Sequence, residues 1–412
     1  MPARPLGRRV GAVGVVLTAT ALIVPSAGVA SAARSTTATQ GVTRHAIVVG
    51  GILGDSTSKG AEIGAQARFA RANALGGVGG RRIVFRGATA VDDPGGGYEA
   101  RVTELSGEVF AFVPALGDAV DAPSLARGQI PFFGVADPTW VGNRFGFSFV
   151  GVGDAAGAPT VSPTWGLQLR ALLGTARAKR VAIAVDDDAA GTTRADAARR
   201  ALRQAGFAAA APLRVSTAST PSPDLAAIAS KLVAGDPVGV LVLTSPGVTA
   251  GIVGALVGVG YIGTIGVGEA LYSPTTPETA SGLTVLVPYA PVEAHTSATR
   301  RMVVDVDAFA PDTAVTPAIA AGYWSADLFL AALRKVGRRL TVDRFLSVAN
   351  GGRFRYEVAG TIGRSTWPAM HSQVVPCGAL LQSDATRYLV VGPFRCGAPI
   401  RVRAGAAARR SE

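Results

Sequence analysis

At 412 residues the chain exceeds what one hydrophobic core usually accommodates, so two lobes are the expectation. The formal charge of +12 does not read as a nucleic-acid surface, because the arginines are scattered in ones and twos along helices rather than clustered with aromatics on one element.

The chain opens with Arg4, Arg8 and Arg9, followed by an apolar run from Val10 to Val24 and the small triplet Ala30-Ser31-Ala32. Basic region, apolar region and A-x-A site in that order are the layout of a secretory signal peptide over 1–32, and its removal leaves +9. A membrane anchor helix is the competing reading, but Gly11, Gly14 and Pro25 interrupt the run and small residues follow it. No cysteine stands near the cleavage site to carry a lipid. Beyond residue 33 no apolar run reaches the roughly 18 residues that span a bilayer. A secreted, extracytoplasmic protein without stable membrane insertion is expected, with a Ser/Thr-rich mobile leader over 33–43.

From Ala46 strands and helices alternate. AIVVGG is a buried strand, GAEIGAQARFARANALGG a helix stopped by Gly76-Gly77, and RRIVFRGATA the next strand. A helix near 98–105, the strand VFAFVP, a short helix around Ser124 and the strand PFFGV follow, and FGFSFVGV runs out of this lobe. A second series starts at Pro163. It comprises TWGLQLRALLGTA, RVAIAVDDD, TTRADAARRALRQAGF, LRVS, PDLAAIASKLVAGD, VGVLVLTSPG, VTAGIVGALVGVG and TIGVGEA, then the strand LTVLVPYA. Helices over 295–309, 318–336 and 342–349 precede a strand-like tail from Gly352.

Continuous apolar strands separated by amphipathic helices require sheets covered on both faces. The fold class is therefore α/β, with two doubly wound parallel-sheet lobes joined by several hinge crossings. The boundaries read as 44–152 plus 292–349 for lobe 1, 153–291 plus 350–400 for lobe 2, and 401–412 for a basic tail. Cys377 and Cys396 are the only cysteines, and in an exported chain they read as one disulfide closing the tail of lobe 2.

In such sheets ligands lie beyond the carboxyl ends of the strands, where loops converge and helices begin. Those loops carry Asp55, Ser56, Asp118, Ala136, Asp137, Asp188, Ser245 and Glu269, which are the candidate ligand-binding residues. Asp118, Asp137 and Glu269 would accept hydrogen bonds from a ligand amine or hydroxyl, and Ser56 and Ser245 would donate. The same residue types also populate turns and helix caps in any protein.

No catalytic, metal or cofactor site is expected. GDSTSKG at 54–60 has the nucleophile pattern of GDS-type serine hydrolases, with Ser56 as nucleophile, but that chemistry needs a histidine base. Neither His45, His295 nor His371 has Asp three residues before it, and no Gly-x-Asn-Asp block occurs. Gly258-Val259-Gly260-Tyr261-Ile262-Gly263 matches the dinucleotide fingerprint in letters only, since it closes a helix and precedes a strand. The run Asp186-Asp187-Asp188 cannot turn three consecutive side chains toward one ion.

The segment from Gly41 to Phe85 resembles the opening of the branched-chain amino-acid (Leu/Ile/Val) binding proteins, the type I solute receptors of ABC importers. The shared pieces are a first strand ending in glycines, the pair Gly64-Ala65, an Asn-x-x-Gly-Gly-x-x-Gly hairpin over Asn73–Gly80, Asp93-Pro94, PFFGVADP, RVAIAVDDD, the glutamate loop GVGEA and the late helix GYWSADLFLAAL. The resemblance covers about 42–357 and implies lobes that close on a small-molecule ligand by hinge motion and deliver it to an ABC importer permease. It also implies a carboxylate clamp of Ser and Thr hydroxyls, whose positions here fall on Gly117 or Asp118 and on Ala136, and a second-lobe tyrosine that falls near Ala190. Only the acid facing the ligand ammonium is kept, as Glu269. Extracytoplasmic capture of an amino acid or related polar amine is the leading expectation. A Ser56 hydrolase and a ligand-free sensory or structural descendant of the receptors are the alternatives.

Overall fold

The computed structural model describes residues 39–402 apart from 55, 92–96, 118, 155, 176–178 and 217–223. The expected signal peptide, most of the leader and nearly all of the basic tail lie outside the described residues, as do Asp55, Asp118 and the Pro221–Pro223 loop.

The first lobe runs β1 (Ala46–Leu53), α1 (Ala61–Ala74), β2 (Arg82–Ala90), α2 (Tyr98–Glu108), β3 (Ala111–Leu116), α3 (Ala122–Arg127), β4 (Phe132–Gly134) and β5 (Gly146–Ser148). These five strands form a wholly parallel sheet in the order β2-β1-β3-β4-β5. The hairpin after α1 shows why its sequence is so constrained. The Asn73 side chain donates from Nδ2 to the Ile83 carbonyl and accepts the Ile83 N–H, both at 2.8 Å, tying the turn to β2. Gly76, Gly77, Gly79 and Gly80 all take positive φ between these anchors.

The second lobe runs β6 (Thr160–Val161), α4 (Thr164–Leu173), β7 (Arg180–Asp186), α5 (Ala189–Gln204), β8 (Ala208–Ala209), β9 (Leu213–Val215), α6 (Leu225–Val233), β10 (Gly239–Leu243), α7 (Pro246–Gly258), β11 (Thr264–Val267), α8 (Thr276–Thr279) and β12 (Leu283–Val287). The chain then returns to the first lobe as α9 (Ser297–Phe309), α10 (Pro317–Val336), α11 (Val342–Ala349) and the hairpin β13 (Arg355–Val358) and β14 (Ile362–Thr366). It finishes in the second lobe with β15 (Cys377–Asp384), β16 (Arg387–Cys396) and β17 (Ile400–Arg401). The second sheet has the order β16-β15-β12-β11-β10-β7-β8, with β9 also beside β7. Strands β7 to β12 are parallel, and β15 and β16 add an antiparallel edge that the sequence reading did not specify.

Helices α1 and α10 pack with backbone nearly in contact. A Cβ on Gly64 would stand 1.9 Å from the Ile319 carbonyl oxygen, and one on Gly322 would stand 1.8 Å from that of Ala61. This is the physical reason for the small pair Gly64-Ala65. Around the crossing, Arg68 pairs with Asp327 and Arg71 with Asp305, both at 2.7 Å. Tyr323 donates to Asp305 at 2.6 Å and Tyr356 to Asp327 at 3.0 Å. Every charge in this set meets an opposite one or a hydroxyl, which is how a polar cluster survives in a core.

Two expected boundaries shift. The segment from Gly352, assigned from sequence to the second lobe with 350–400, packs with the first as far as Trp367. Phe354, Tyr356, Ile362 and Trp367 share a core with Phe69, Phe110, Phe133, Phe147, Phe329 and Phe345. Trp367 packs on a first-lobe aromatic, 5.6 Å from Phe147 between ring centroids, and Phe354 stacks on Trp367 in turn at 5.4 Å. The leader expected to be mobile over 33–43 is anchored from Thr39 on. Thr39 Oγ1 donates to Leu340 O, Gln40 Nε2 to Val109 O, and Val42 bridges Ile47.

Among the described residues three segments cross between the lobes: 149–154 with 156–159, 288–292 and 372–376. The first and third hydrogen-bond to each other, Val152 N–H to Gln373 O at 3.2 Å and Val375 N–H to Val150 O at 3.1 Å. The second is tied to the first lobe by Ala290 N–H to Thr361 O at 2.8 Å. Among the described residues no helix is long and apolar enough to cross a membrane.

Candidate functional site

The carboxyl ends of the two sheets face a cleft with two adjoining cavities. The larger, about 290 Å³, is lined from the first lobe by Ser58, Gly117, Ala136, Asp137 and Pro317, and from the second by Glu269 and Tyr272, with Tyr289 on a crossing. The smaller, about 200 Å³, is lined by Asp154, Ser162, Thr164 and Trp165 beside Val150, Leu286, Val374 and Val375. Val135, Ala136 and Glu269 line both, so the cavities form one trough with Glu269 at their junction.

The glutamate is placed by strand geometry. β11 ends at Val267, Gly268 follows, and the chain turns into a one-turn 3₁₀ helix over Glu269–Leu271. Among the described residues no hydrogen bond or ion pair holds the Glu269 carboxylate. Glu269 is exposed toward the cleft, yet residues of both lobes crowd around its carboxyl, and the resulting desolvation raises it to about 7. The open side of the cleft leaves that charge partly screened by solvent.

Asp154 lies on the first crossing, half-buried, and accepts the Ser162 N–H at 3.3 Å. Burial raises its carboxyl to about 6, partly offset by that hydrogen bond. Tyr289, buried at 5 % relative exposure, lines the larger cavity with no hydrogen-bond partner for its hydroxyl among the described residues. Burial, with Glu269 and Glu293 nearby, pushes that phenol far above its ordinary value, so it stays a protonated donor. Tyr272 donates to Glu293 at 2.6 Å and lies edge-on to Tyr388, a partnered pair behind the trough.

Of the residues picked from sequence, the structure brings Ala136, Asp137 and Glu269 together. Ala136 N–H donates to Ser148 Oγ at 3.3 Å. Asp137 Oδ1 accepts the Thr139 N–H at 2.6 Å as a helix cap, while its Oδ2 is buried without a partner. Ser56 lies in the one-turn helix 56–58 at the cleft's edge. Asp188 and Ser245 line neither cavity. Asp188 caps α5 through Gly191 N–H at 2.5 Å, and Ser245 N–H donates to Asp186 at 2.9 Å. Sequence reasoning passed over Asp154, Ser162, Trp165 and Tyr289. The strand-end rule applied to the loop after β12 would have reached Tyr289, but Asp154 sits on a crossing, where that rule has no purchase.

His371, the histidine buried in the first lobe, contacts Asn350 Oδ1 through Nε2 at 2.5 Å and packs on Phe147. Burial lowers it to about 4, so it is neutral near pH 7. Cys377 and Cys396 face each other across β15 and β16 and form the expected disulfide, beside the smaller cavity.

A model of the periplasmic binding protein family matches residues 47–387. The chain belongs to that family. The resemblance read from Gly41–Phe85 and the two-lobed parallel fold are thereby borne out, and membership implies an extracytoplasmic place. Solved structures agree in fold. A fatty acid ABC transporter substrate-binding protein from Thermomonospora curvata superposes with a TM-score of 0.66 at 16 % identity, covering 87 % of this chain and 94 % of that one. A possible leucine/isoleucine/valine-binding protein from Rhodopirellula baltica SH 1 gives 0.61 at 13 %, covering 86 % and 98 %. An ABC transporter substrate-binding protein from Desulfitobacterium hafniense, in complex with Leu, gives 0.61 at 18 %, covering 84 % and 100 %. Comparison with curated protein sequences gives no match.

Proposed function

We propose that this periplasmic binding protein captures a small polar molecule bearing an amine between its lobes and hands it to an ABC-type importer, with no chemistry done on it. The observation that carries the reading is the Glu269 carboxylate, unpartnered at the junction of two interlobe cavities. An unpartnered carboxylate crowded by both lobes in a cleft, though still open to solvent, is the natural place for a ligand's positive charge. An ammonium supplies it with charge-assisted hydrogen bonds. Ala136, and Gly117 on the neighbouring strand end, supply no hydroxyl at those two positions, so the Ser and Thr hydroxyls lining the cavities are those of Thr57, Ser58, Ser162 and Thr164. Among the described residues no Lys, Arg or His lines either cavity to balance a ligand carboxylate. The relatives named for a fatty acid and for bound leucine are therefore guides to architecture rather than to ligand. The three crossing segments provide the hinge by which ligand contacts to both lobes would favour the closed state.

Thermal unfolding tests this over a panel of amines, amino acids, sugars and carboxylic acids. A compound that binds only the folded state must raise Tm. An amine-bearing compound is expected to raise it in the wild type and not in Glu269→Gln. Equal shifts in both proteins, or shifts confined to carboxylic acids, would defeat the proposal.

A further inference from the structure

The trough carries more than one negative terminus. Glu269 stands at the junction, Asp154 lines only the smaller cavity, and the walls shared with Asp154 are Val150, Leu286, Val374, Val375 and Trp165. Asp154 receives a single N–H, from Ser162, which leaves carboxylate lone pairs open. Tyr289, nine-tenths buried with an unpartnered hydroxyl, adds a neutral polar group on the other side of Glu269. A carboxylate at the junction, apolar walls and a second carboxylate beyond, without a cation among the described lining residues, is the complement of a molecule with two positive ends and an apolar middle.

We propose that the cleft takes an α,ω-diamine, a short apolar chain with an ammonium at each end, one held by Glu269 and the other by Asp154. This rests on the solute-receptor reading above. Asp137 is a third acid, in the larger cavity and engaged as the cap of Thr139. An amino acid with its ammonium on Glu269 would therefore bring its own carboxylate toward Asp154 or Asp137, a like-charge contact that costs affinity. A monoamine leaves Asp154 without a counter-charge. Burial raises both carboxyls above their ordinary values, as expected of sites that lack only their cation.

Isothermal titration calorimetry on the full chain decides it, with 1,4-diaminobutane, 1,5-diaminopentane and 1,6-diaminohexane against 1-aminopentane, leucine and octanoate. At least one diamine is expected to bind about tenfold more tightly than the monoamine or better. In Asp154→Asn, which keeps an oxygen for the Ser162 N–H, the diamine-to-monoamine affinity ratio is expected to fall to about one. Equal binding of diamine and monoamine by the wild type, or an unchanged ratio in Asp154→Asn, overturns the proposal. Heat from leucine and none from any diamine overturns the diamine class while leaving the receptor reading in place, whereas heat from octanoate alone defeats both. Silence from all six compounds, with cooperative unfolding showing the protein to be folded, overturns the diamine proposal, and the wider unfolding panel then decides the receptor reading.

Discussion

Two carboxylates at strand ends of the second lobe have opposite fates. Asp186, at the end of β7, is buried and saturated: Arg194 Nη2 lies 2.8 Å from Oδ2, and the Ser245 N–H reaches the same oxygen at 2.9 Å. Glu269, beyond the end of β11, has no partner among the described residues and faces the trough. Both follow the same strand-then-acid pattern. What separates a structural from a functional carboxylate is whether the fold itself supplies the counter-charge and donors.

That contrast can be broken at either end. Removing the saturated group strands its partners, so Asp186→Ala is expected to cost about 3 kcal/mol in chemical denaturation, leaving Arg194 and the Ser245 N–H without their acceptor. Such a variant that stays folded should still respond to ligand, because Asp186 lines neither cavity.

The pH dependence of the ligand-free protein sharpens the comparison with a buried base. His371 is lowered by burial from 6.5 to about 4, so its unfolded form takes up a proton first. The stability it contributes is present above pH 6.5 and is lost as pH falls toward 4, about 3 kcal/mol in all. Glu269 runs the other way: its raised carboxyl contributes stability below its ordinary value of 4.5 that is lost as pH rises through about 7. Urea midpoints across this range should fall on the acid side in the wild type and less so in His371→Gln.

Smaller effects test the residues that sequence reading grouped with Glu269. Asp188→Ala removes the α5 cap and is expected to cost about 1 kcal/mol without altering any ligand response. Smallest of all in stability is Glu269→Gln. It should leave the denaturation midpoint at pH 8 unchanged or slightly raised, since no native partner is lost and a desolvated charge is removed. A large loss of stability would mean that Glu269 belongs with Asp186.

The fold was legible in the sequence because parallel strands buried on both faces read as unbroken apolar runs, such as AIVVGG and RVAIAVDDD, and because Gly64 and Asn73 have single structural uses. The segment around Phe354–Trp367 was misplaced since nothing local says which core an aromatic will enter. The site was half legible. Strand ends pointed to Ala136, Asp137 and Glu269, but the rule cannot tell a cap such as Asp188 from a ligand group, because both are acids after strands. Asp154 was out of reach, as its position depends on where two crossings meet.

The most direct test is to follow the Glu269 side-chain carboxyl by NMR through a pH titration of the ligand-free protein, assigned by its absence in Glu269→Gln. A midpoint near 7, moving down when an amine ligand is added, is the expected result. A midpoint near 4.5 that no amine shifts would show a solvated or already partnered carboxylate, and the cleft would have no unmet charge to recruit a ligand.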